Sequence, residues 1–379
     1  MNNQRHAFFL DEDMHYLNNA YKALMLRSNE TVLQEAFETE KYPMKRTVND
    51  FFGNIDLAHQ LFGRLVNCPA SQVALIPSTS YAFANALNNV SCKPGQHALT
   101  IEAEFPSDYF ALNAWCEKNQ AELRTIQSGE QSEKNWNERI IEAIDSQTAV
   151  VVMSAIHWMH GFVFDLEAIG RACKEVGAVF MVDGTQSVGA RPMDVTTNHI
   201  DVLVCAGYKW LLGPYSLGCA YYSEQFDNGR PIENSWMNRK NARGFSDLTD
   251  YSHEYVEGAG RYNVGETSNF LLLPILINGL KQVLDWRVEE IMDYTSNLVA
   301  PFRGCFEAMG IPMVDEKYFA PHLFGLKVPH VNNVQALADD LKAENVIVSV
   351  RGTSLRVSVN VFNTAEDLEA LIQVIERTS

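Results

Sequence analysis

Lys209 lies among aromatic and aliphatic residues in the segment CAGYKWLLGPY (205–215). A lysine that stays in water as an ammonium ion gains nothing from such neighbours. Desolvation by Tyr208, Trp210 and Leu211 would lower the pKa of the amine, because burial disfavours the charged form. We therefore expect Lys209 to react as a neutral, nucleophilic amine.

Asp183 supplies a carboxylate that could act with this amine. It directly follows the apolar run AVFMV (178–182), and Lys209 comes shortly after a second run, DVLVCA (201–206). An acid and an amine at neighbouring strand ends can form a plain salt bridge. The same pair also meets two needs of a pyridoxal 5'-phosphate (PLP) enzyme, which are an amine for the Schiff base and an acid that keeps the pyridine nitrogen protonated.

The elements around these residues alternate between apolar runs and amphipathic helices. The pattern predicts a strand, a helix and two further strands over 148–155, 165–177, 178–182 and 201–206. Continuous apolar strands separated by helices indicate a parallel sheet covered on both faces. Ligands bind beyond the carboxyl ends of such strands, which is where both candidate residues lie.

After about residue 275 the sequence predicts a smaller C-terminal α+β domain. The predicted order is one long helix, a strand, a helix, two paired strands and a final helix, over 275–299, 324–328, 333–344, 346–350, 355–359 and from about 365. We expect residues 1–15 to form an N-terminal arm that packs with the small domain. Residues 16–280 would then form the large PLP-binding domain and residues 281–379 the small domain.

The segment VDGTQSVGARPMDVTTNHIDVLVCAGYKWLLGPYSLGCAYYS (182–223) resembles the core of the class V aminotransferases. That family includes cysteine desulfurases, kynureninases and isopenicillin-N-epimerase-like enzymes, and the resemblance extends from about Tyr16 to residues 361–368. It implies the α/β PLP-dependent transferase fold type I, which is aspartate aminotransferase-like. It also implies a homodimer with both active sites at the interface.

The resemblance assigns roles around the cofactor ring. Lys209 would form the Schiff base and move protons, and Asp183 would pair with the pyridine nitrogen. Gln186 would contact the ring hydroxyl. Phe105 would stack on the ring at a position where desulfurases carry a histidine, and this difference favours kynureninase-like relatives.

Other residues would hold the cofactor phosphate. Thr79 and Ser80 begin a helix whose N-terminus would take the dianion, although such hydroxyls also occur as ordinary N-caps. Tyr208 resembles a phosphate-contacting tyrosine. Glu266 stands where the family has a threonine that reaches the partner's phosphate, and Thr267 is the candidate substitute.

An arginine is predicted to bind the substrate. Arg356 falls on the polar face of the strand LRVSV, and the resemblance implies that it binds the α-carboxylate, whereas a solvated edge arginine is the alternative. Asn19 is a further substrate-binding candidate. His157 is expected as a catalytic residue near the cofactor hydroxyl or the substrate, with Trp158 and His160 as pocket walls.

These residues leave the reaction open. The segment VSVRGTSLRVS (348–358) lacks the desulfurase cysteine, so persulfide chemistry through an enzyme thiol is not expected. Aminotransferase activity is the default, with elimination, epimerisation or carbon–carbon bond formation as alternatives. An NAD-dependent oxidoreductase would need G-x-G-x-x-G after a strand, and GAGRYN (258–263) does not meet that pattern. A non-catalytic scaffold would not need the retained lysine, aspartate and arginine.

Composition narrows the class of protein. The chain has 379 residues, of which 46% are hydrophobic, so it can bury a large core. Its formal net charge of -17 disfavours nucleic-acid binding. Seven cysteines without a C-x-x-C pair predict no zinc site and suit a reducing cytoplasm. The N-terminus does not resemble a signal peptide, and the run NFLLLPILINGL (269–280) is too short to span a membrane. We expect a cytoplasmic enzyme with a small amino-acid substrate.

Overall fold

The computed structural model describes residues 1–129, 134–329, 331 and 333–378. The strands within these ranges are β1 (His15–Tyr16), β2 (Val73–Ile76), β3 (His97–Ile101), β4 (Glu122–Ile126), β5 (Thr148–Ser154), β6 (Val179–Asp183), β7 (Val202–Ala206), β8 (Gly218–Tyr222), β9 (Leu323–Leu326), β10 (Val346–Ile347), β11 (Ser349–Arg351) and β12 (Ser354–Ser358). The α-helices are α1 (Asn29–Glu40), α2 (Val48–Val66), α3 (Thr79–Leu87), α4 (Pro106–Asn119), α5 (Trp136–Ala143), α6 (Leu166–Val176), α7 (Leu272–Trp286), α8 (Val288–Ala308), α9 (Val334–Ala343) and α10 (Ala365–Thr378).

A seven-stranded sheet forms the centre of the large domain. Its strand order is β2-β8-β7-β6-β5-β3-β4, and only β8 runs antiparallel to its neighbours. The apolar strands β5 and β7 are buried because helices cover the sheet on both faces. Helix α6 begins where the Asp165 carboxylate accepts a hydrogen bond from the Ala168 N–H, and it ends at Gly177 with a φ of 74°. The predicted mostly parallel sheet with covering helices is confirmed.

The smaller C-terminal domain contains the antiparallel sheet β11-β12-β9. Its core includes Phe306, Phe324, Leu341 and Val357, contributed by helices and strands together. The predicted strand over 346–350 is split in the structure. Its first part, β10, pairs with β1 from the N-terminus, and its second part, β11, pairs with β12.

The predicted single helix over 275–299 is wrong. Two helices, α7 and α8, meet at Arg287, where φ is 63° and ψ is 125° and the helical hydrogen bonding is interrupted. Helix α7 packs against α1 and α2 in the large domain, whereas α8 packs against α10. The apolar periodicity continues through the break, which is why the sequence read as one element.

The N-terminal residues contact the small domain. The His15 imidazole lies 2.7 Å from the Asp367 carboxylate, and the backbone N–H of Gln4 donates to the Val361 carbonyl over 2.8 Å. The division of the chain into an arm and two domains with the bounds given above stays a prediction. No helix within the described ranges combines the length and apolarity needed to cross a bilayer.

Candidate active site

A cavity of about 250 Å³ opens beyond the carboxyl ends of strands β2, β5, β6 and β7. This is the edge of a parallel sheet where ligands are expected to bind. Eight of the residues predicted for the site line it, namely Thr79, Ser80, Phe105, Trp158, Asp183, Gln186, Tyr208 and Lys209. The fold therefore brings together residues that are far apart in the sequence.

Lys209 is 6% exposed. Its burial lowers the pKa of the amine to about 8, an effect that the negative charge of Asp183 partly opposes. The amine nitrogen lies 5.6 Å from the ring centroids of Phe105 and Tyr208. Trp210 and Leu211 are instead buried in the protein core. The expectation of a desolvated amine thus agrees with the structure, and the predicted neighbour Tyr208 lies near the nitrogen, but Phe105 takes the place expected for Trp210 and Leu211.

Asp183 ends strand β6, and its position is fixed by the turn that follows. One carboxylate oxygen accepts a hydrogen bond from the Thr185 N–H over 2.7 Å. The Thr185 hydroxyl in turn accepts from the Ala206 N–H over 3.0 Å, at the end of β7. The turns after the two strands are joined in this way, so the acid and the lysine have a defined relative position.

Asp108 is a buried acid that was not predicted from the sequence. It lies in the first turn of α4 with no exposed surface, and neither carboxylate oxygen finds a hydrogen-bond donor within the described residues. Burial raises its pKa well above the usual range, and the neighbouring charges of Asp183 and Glu104 raise it further. An acid in the first turn of a helix is ordinary, so no sequence signal marked this residue.

Glu104 is the third carboxylate of this group. Its oxygens accept hydrogen bonds from the backbone N–H of Ser154 and of Phe105, both over 2.6 Å, and from the Ser154 hydroxyl. Burial nevertheless raises the pKa of Glu104 to about 7. Carboxylates crowded in this way cannot all be ionised without a compensating positive charge.

The N-terminus of helix α3 forms another side of the cavity. The Ser78 hydroxyl accepts a hydrogen bond from the Tyr81 N–H over 3.2 Å and lies 3.0 Å from the Ser80 hydroxyl. The first N–H groups of a helix lack intrahelical partners, so this end favours an anion. Thr79, Ser80 and Tyr208 all border it.

Aromatic residues close the wall that faces Lys209. Phe105 and Trp158 contact each other edge to face, with ring centroids 5.6 Å apart. The Trp158 indole N–H donates to the Ala103 carbonyl over 2.8 Å, which fixes the orientation of the ring. Gln186 also borders the cavity, but its amide already donates to the Ala20 carbonyl and accepts from the Trp210 indole.

Arg356 and Asn19 are buried polar side chains with unused hydrogen-bonding capacity. Arg356 is 2% exposed and donates to the Trp158 carbonyl over 3.2 Å, while its Nε and Nη2 atoms have no partner within the described residues. The Asn19 amide, which is fully buried, likewise finds no partner there. Neither residue borders the 250 Å³ cavity, although the positive charge of Arg356 still lowers the pKa of Lys209.

The structure does not bring His157 and Thr267 to this cavity. The His157 ring is buried, with Nε2 3.2 Å from the Glu102 carbonyl oxygen and Nδ1 accepting from the His160 N–H. Burial lowers the pKa of His157 to about 3. The Thr267 hydroxyl donates to the Val264 carbonyl, and Glu266 is exposed with a φ of 55°.

Comparison with known proteins identifies the family. The sequence model of the class V aminotransferases matches residues 34–238. The chain belongs to the class V aminotransferase family. Among curated members, the uncharacterized aminotransferase YcbU of Bacillus subtilis is 21% identical over 352 residues, covering 88% of this chain and 90% of the relative. The kynureninase of Shouchella clausii is 23% identical, covering 98% of this chain and 90% of that enzyme.

Solved structures share this fold. A mutant of C-DES, a cystine C–S lyase, superimposes with a TM-score of 0.87 at 15% identity. The match covers 98% of this chain and 99% of that one, and in that structure glycine is covalently linked to the PLP cofactor. The predicted fold class is therefore confirmed, and this class V family member is an enzyme.

The cavity has the chemistry that PLP requires. The cofactor carries a phosphate dianion and a pyridine nitrogen that can be protonated. The helix α3 N-terminus with its hydroxyls suits the dianion. Asp183 borders the cavity and supplies a carboxylate for a protonated pyridine nitrogen, and the Asp108 oxygens beside it have no hydrogen-bond partner within the described residues. The residues present thus fit this group.

Proposed function

We propose that this protein is a PLP-dependent enzyme that acts at the Cα of an amino acid with a free α-carboxylate, and that it catalyses transamination. One observation carries the proposal. A lysine amine with a pKa lowered to about 8 shares a cavity with Asp183, and Arg356, whose Nε and Nη2 atoms have no partner within the described residues, is close enough to affect that amine. Nucleophile, acid and carboxylate binder are the three groups that this chemistry needs.

Lys209 is suited to move a proton at the substrate Cα. When bound, PLP supplies the electron sink that makes this proton acidic. With a pKa of about 8, roughly a tenth of the Lys209 amines are neutral at pH 7, compared with fewer than about one in a thousand for an ordinary lysine. A neutral Nζ can accept the Cα proton, and transamination would require it to pass that proton to the former aldehyde carbon of the cofactor rather than back to Cα.

The other residues of the site would hold and orient the cofactor and the substrate. Asp183 would hold the pyridine nitrogen in its protonated state, and Thr79, Ser80 and Tyr208 would hold the phosphate. Phe105 covers the ring face and excludes water. Arg356 and Asn19 would bind the α-carboxylate through the polar atoms that have no hydrogen-bond partner among the described residues.

A lyase reaction is the second candidate. The Shouchella clausii kynureninase aligns with 98% of this chain, and the cavity wall carries Phe105 at the position where desulfurases carry a histidine. Tyr208 and Tyr215, whose rings lie 4.7 Å apart beside Lys209, could donate a proton to a leaving group. The same bound substrate can follow either course, depending on which group receives the proton.

A panel of amino acids tests the proposal. The purified protein should be yellow, and borohydride should fix the cofactor to Lys209 but to no residue of the Lys209→Ala variant. Mass spectrometry should then detect pyridoxamine phosphate and a 2-oxo acid with the preferred amino acid. Release of ammonia with pyruvate would favour the lyase instead. A protein that stays colourless with added PLP would contradict both reactions.

The proposal includes a homodimer, as the family resemblance implies. Glu266 and Thr267 do not reach the cavity of their own chain, so any contact they make with a phosphate would be with that of a partner subunit. Light scattering of the same preparation should give twice the chain mass of 42.7 kDa.

A further inference from the structure

A second arginine lies beside Arg356 on the hairpin β11–β12. In the register of this hairpin Arg351 pairs with Ser354, and Ser349 pairs with Arg356. Directly paired residues share a face of the sheet, as do residues two apart on one strand. Arg351 and Arg356 therefore project from the same face, at diagonal positions about 7–8 Å apart.

Both guanidinium groups reach the same aromatic wall of the active site. The Arg351 Cζ lies 5.8 Å from the Trp158 ring centroid and the Arg356 Cζ lies 5.9 Å from it. Arg351 donates through Nη1 to the neighbouring Val350 carbonyl over 2.7 Å. Among the ion pairs formed by the described residues, neither arginine has a carboxylate partner.

Two adjacent positive charges without an anion are costly when water is partly excluded. Arg356 is almost fully buried and Arg351 is half-buried. Burial lowers the pKa of Arg356 and the nearby charge of Arg351 lowers it further, and both arginine charges lower the pKa of Lys209. One α-carboxylate would neutralise one guanidinium and leave the other uncompensated.

We propose that the substrate is an amino acid whose side chain carries a second acidic group, which Arg351 binds while Arg356 binds the α-carboxylate. This inference rests on the proposed function. It adds a substrate class, that of acidic amino acids and their analogues, which the role of Arg356 alone does not specify. A neutral side chain would leave Arg351 facing the aromatic wall without a counter-charge.

Binding of unreactive ligands to the holoenzyme tests the inference without turnover. Succinate carries two carboxylates, and succinamate replaces one of them by an amide of similar shape. Calorimetry should show that succinate binds at least about ten-fold more tightly than succinamate. Arg351→Met should remove most of this preference, and Arg351→Lys should keep part of it. Arg171→Met, at an exposed site on α6, should leave it unchanged.

Steady-state kinetics provide the second measurement. Arg351→Met should lower kcat/KM for aspartate or glutamate by about ten-fold or more relative to asparagine or glutamine. Equal losses for acidic and neutral substrates, or native succinate binding no tighter than succinamate binding, would overturn the inference while the proposed function stands. If no amino acid changes the holoenzyme absorbance and borohydride does not fix the cofactor to Lys209, the proposed function itself fails.

Discussion

Lys209 and the carboxylates near it show how burial sets the charge of individual residues. Desolvation favours the neutral form of an amine and of an acid alike, so it lowers the pKa of Lys209 and raises that of Asp108. Arg356 and Arg351 act in the same direction on the lysine, whereas Asp183 acts against them. The reactivity of the amine thus depends on residues from three strands and one helix.

Asp108→Asn should change the pH dependence of stability of the cofactor-free protein. The raised pKa means that folded Asp108 keeps a proton which the unfolded chain releases above about pH 4. This group's contribution to stability is therefore fully present below about pH 4 and is lost as pH rises towards its folded pKa, by about 1.4 kcal/mol per pH unit. Asparagine has no such proton. Urea unfolding between pH 5 and 8 should therefore show that the unfolding free energy of the wild type falls relative to that of the variant as pH rises.

The exposed Asp250 provides the control for this measurement. Asp250→Asn should leave the pH dependence of the unfolding free energy unchanged, because this carboxylate is exposed to water in the folded protein as it is in the unfolded chain. A wild type and an Asp108→Asn variant with parallel pH profiles would mean that Asp108 is ionised in the folded protein.

At the scale of elements, the sequence predicted the site residues at strand ends, but it missed a site residue within a helix and a break between two helices. Asp183 and Lys209 follow continuous apolar runs. Such runs indicate buried parallel strands from the local sequence alone, without knowledge of distant contacts. Asp108 depends on such contacts, because only the packing of α4 against the sheet brings it to Asp183. The break at Arg287 was missed because both helices keep an apolar face with the same period.

In the small domain, too, strand pairing that depends on distant contacts was not predicted from the sequence. The predicted pairing of the last two strands is present as β11 and β12, yet β10 pairs with the N-terminal β1 instead. A two-residue strand carries too little pattern to specify a partner more than 300 residues away. The nearness of Arg351 to Arg356 follows from the resulting tight hairpin and was not predicted.

Gly189 packs closely against the backbone of Trp210, the residue after Lys209, and its substitution should affect cofactor binding. Gly189 has a φ of 93°, and a Cβ there would lie 2.5 Å from the Trp210 carbonyl oxygen, next to the lysine. Gly189→Ala should combine backbone strain with overpacking and cost about 2–5 kcal/mol. We expect a lower melting temperature together with weaker PLP binding, measured by absorbance titration.

Gly177 offers a matched control, with a φ of 74° and open space around the added Cβ. Gly177→Ala should cost only the strain of about 1–2 kcal/mol and leave PLP affinity unchanged. If both variants bound PLP as the wild type does, the contact with Trp210 would have no influence on Lys209.

At the scale of the molecule, one N-terminal segment joins the two domains at the active site. The Ala20 N–H donates to the Ser358 hydroxyl over 2.8 Å, on the strand that carries Arg356. On the other side, the Ala20 carbonyl accepts from Gln186, and the Ala23 N–H donates to the carbonyl of Tyr208, the residue before Lys209. The substrate arginine and the reactive lysine are thus connected through this short stretch of chain.

Ser358→Ala should therefore weaken substrate binding more than it slows chemistry. The substitution leaves the buried Ala20 N–H without its acceptor, which costs about 1–3 kcal/mol. The segment should shift relative to β12, so that Arg356 and Asn19 fit the α-carboxylate less well. With the amino acid that the panel identifies, KM should rise about five-fold or more while kcat and PLP affinity change less than about two-fold.

The control is Ser296→Ala, because the Ser296 hydroxyl donates only within its own helix α8, and KM should then be unchanged. A Ser358→Ala enzyme that is less stable but has the wild-type KM would show that the segment joins the domains without setting the distance between arginine and lysine.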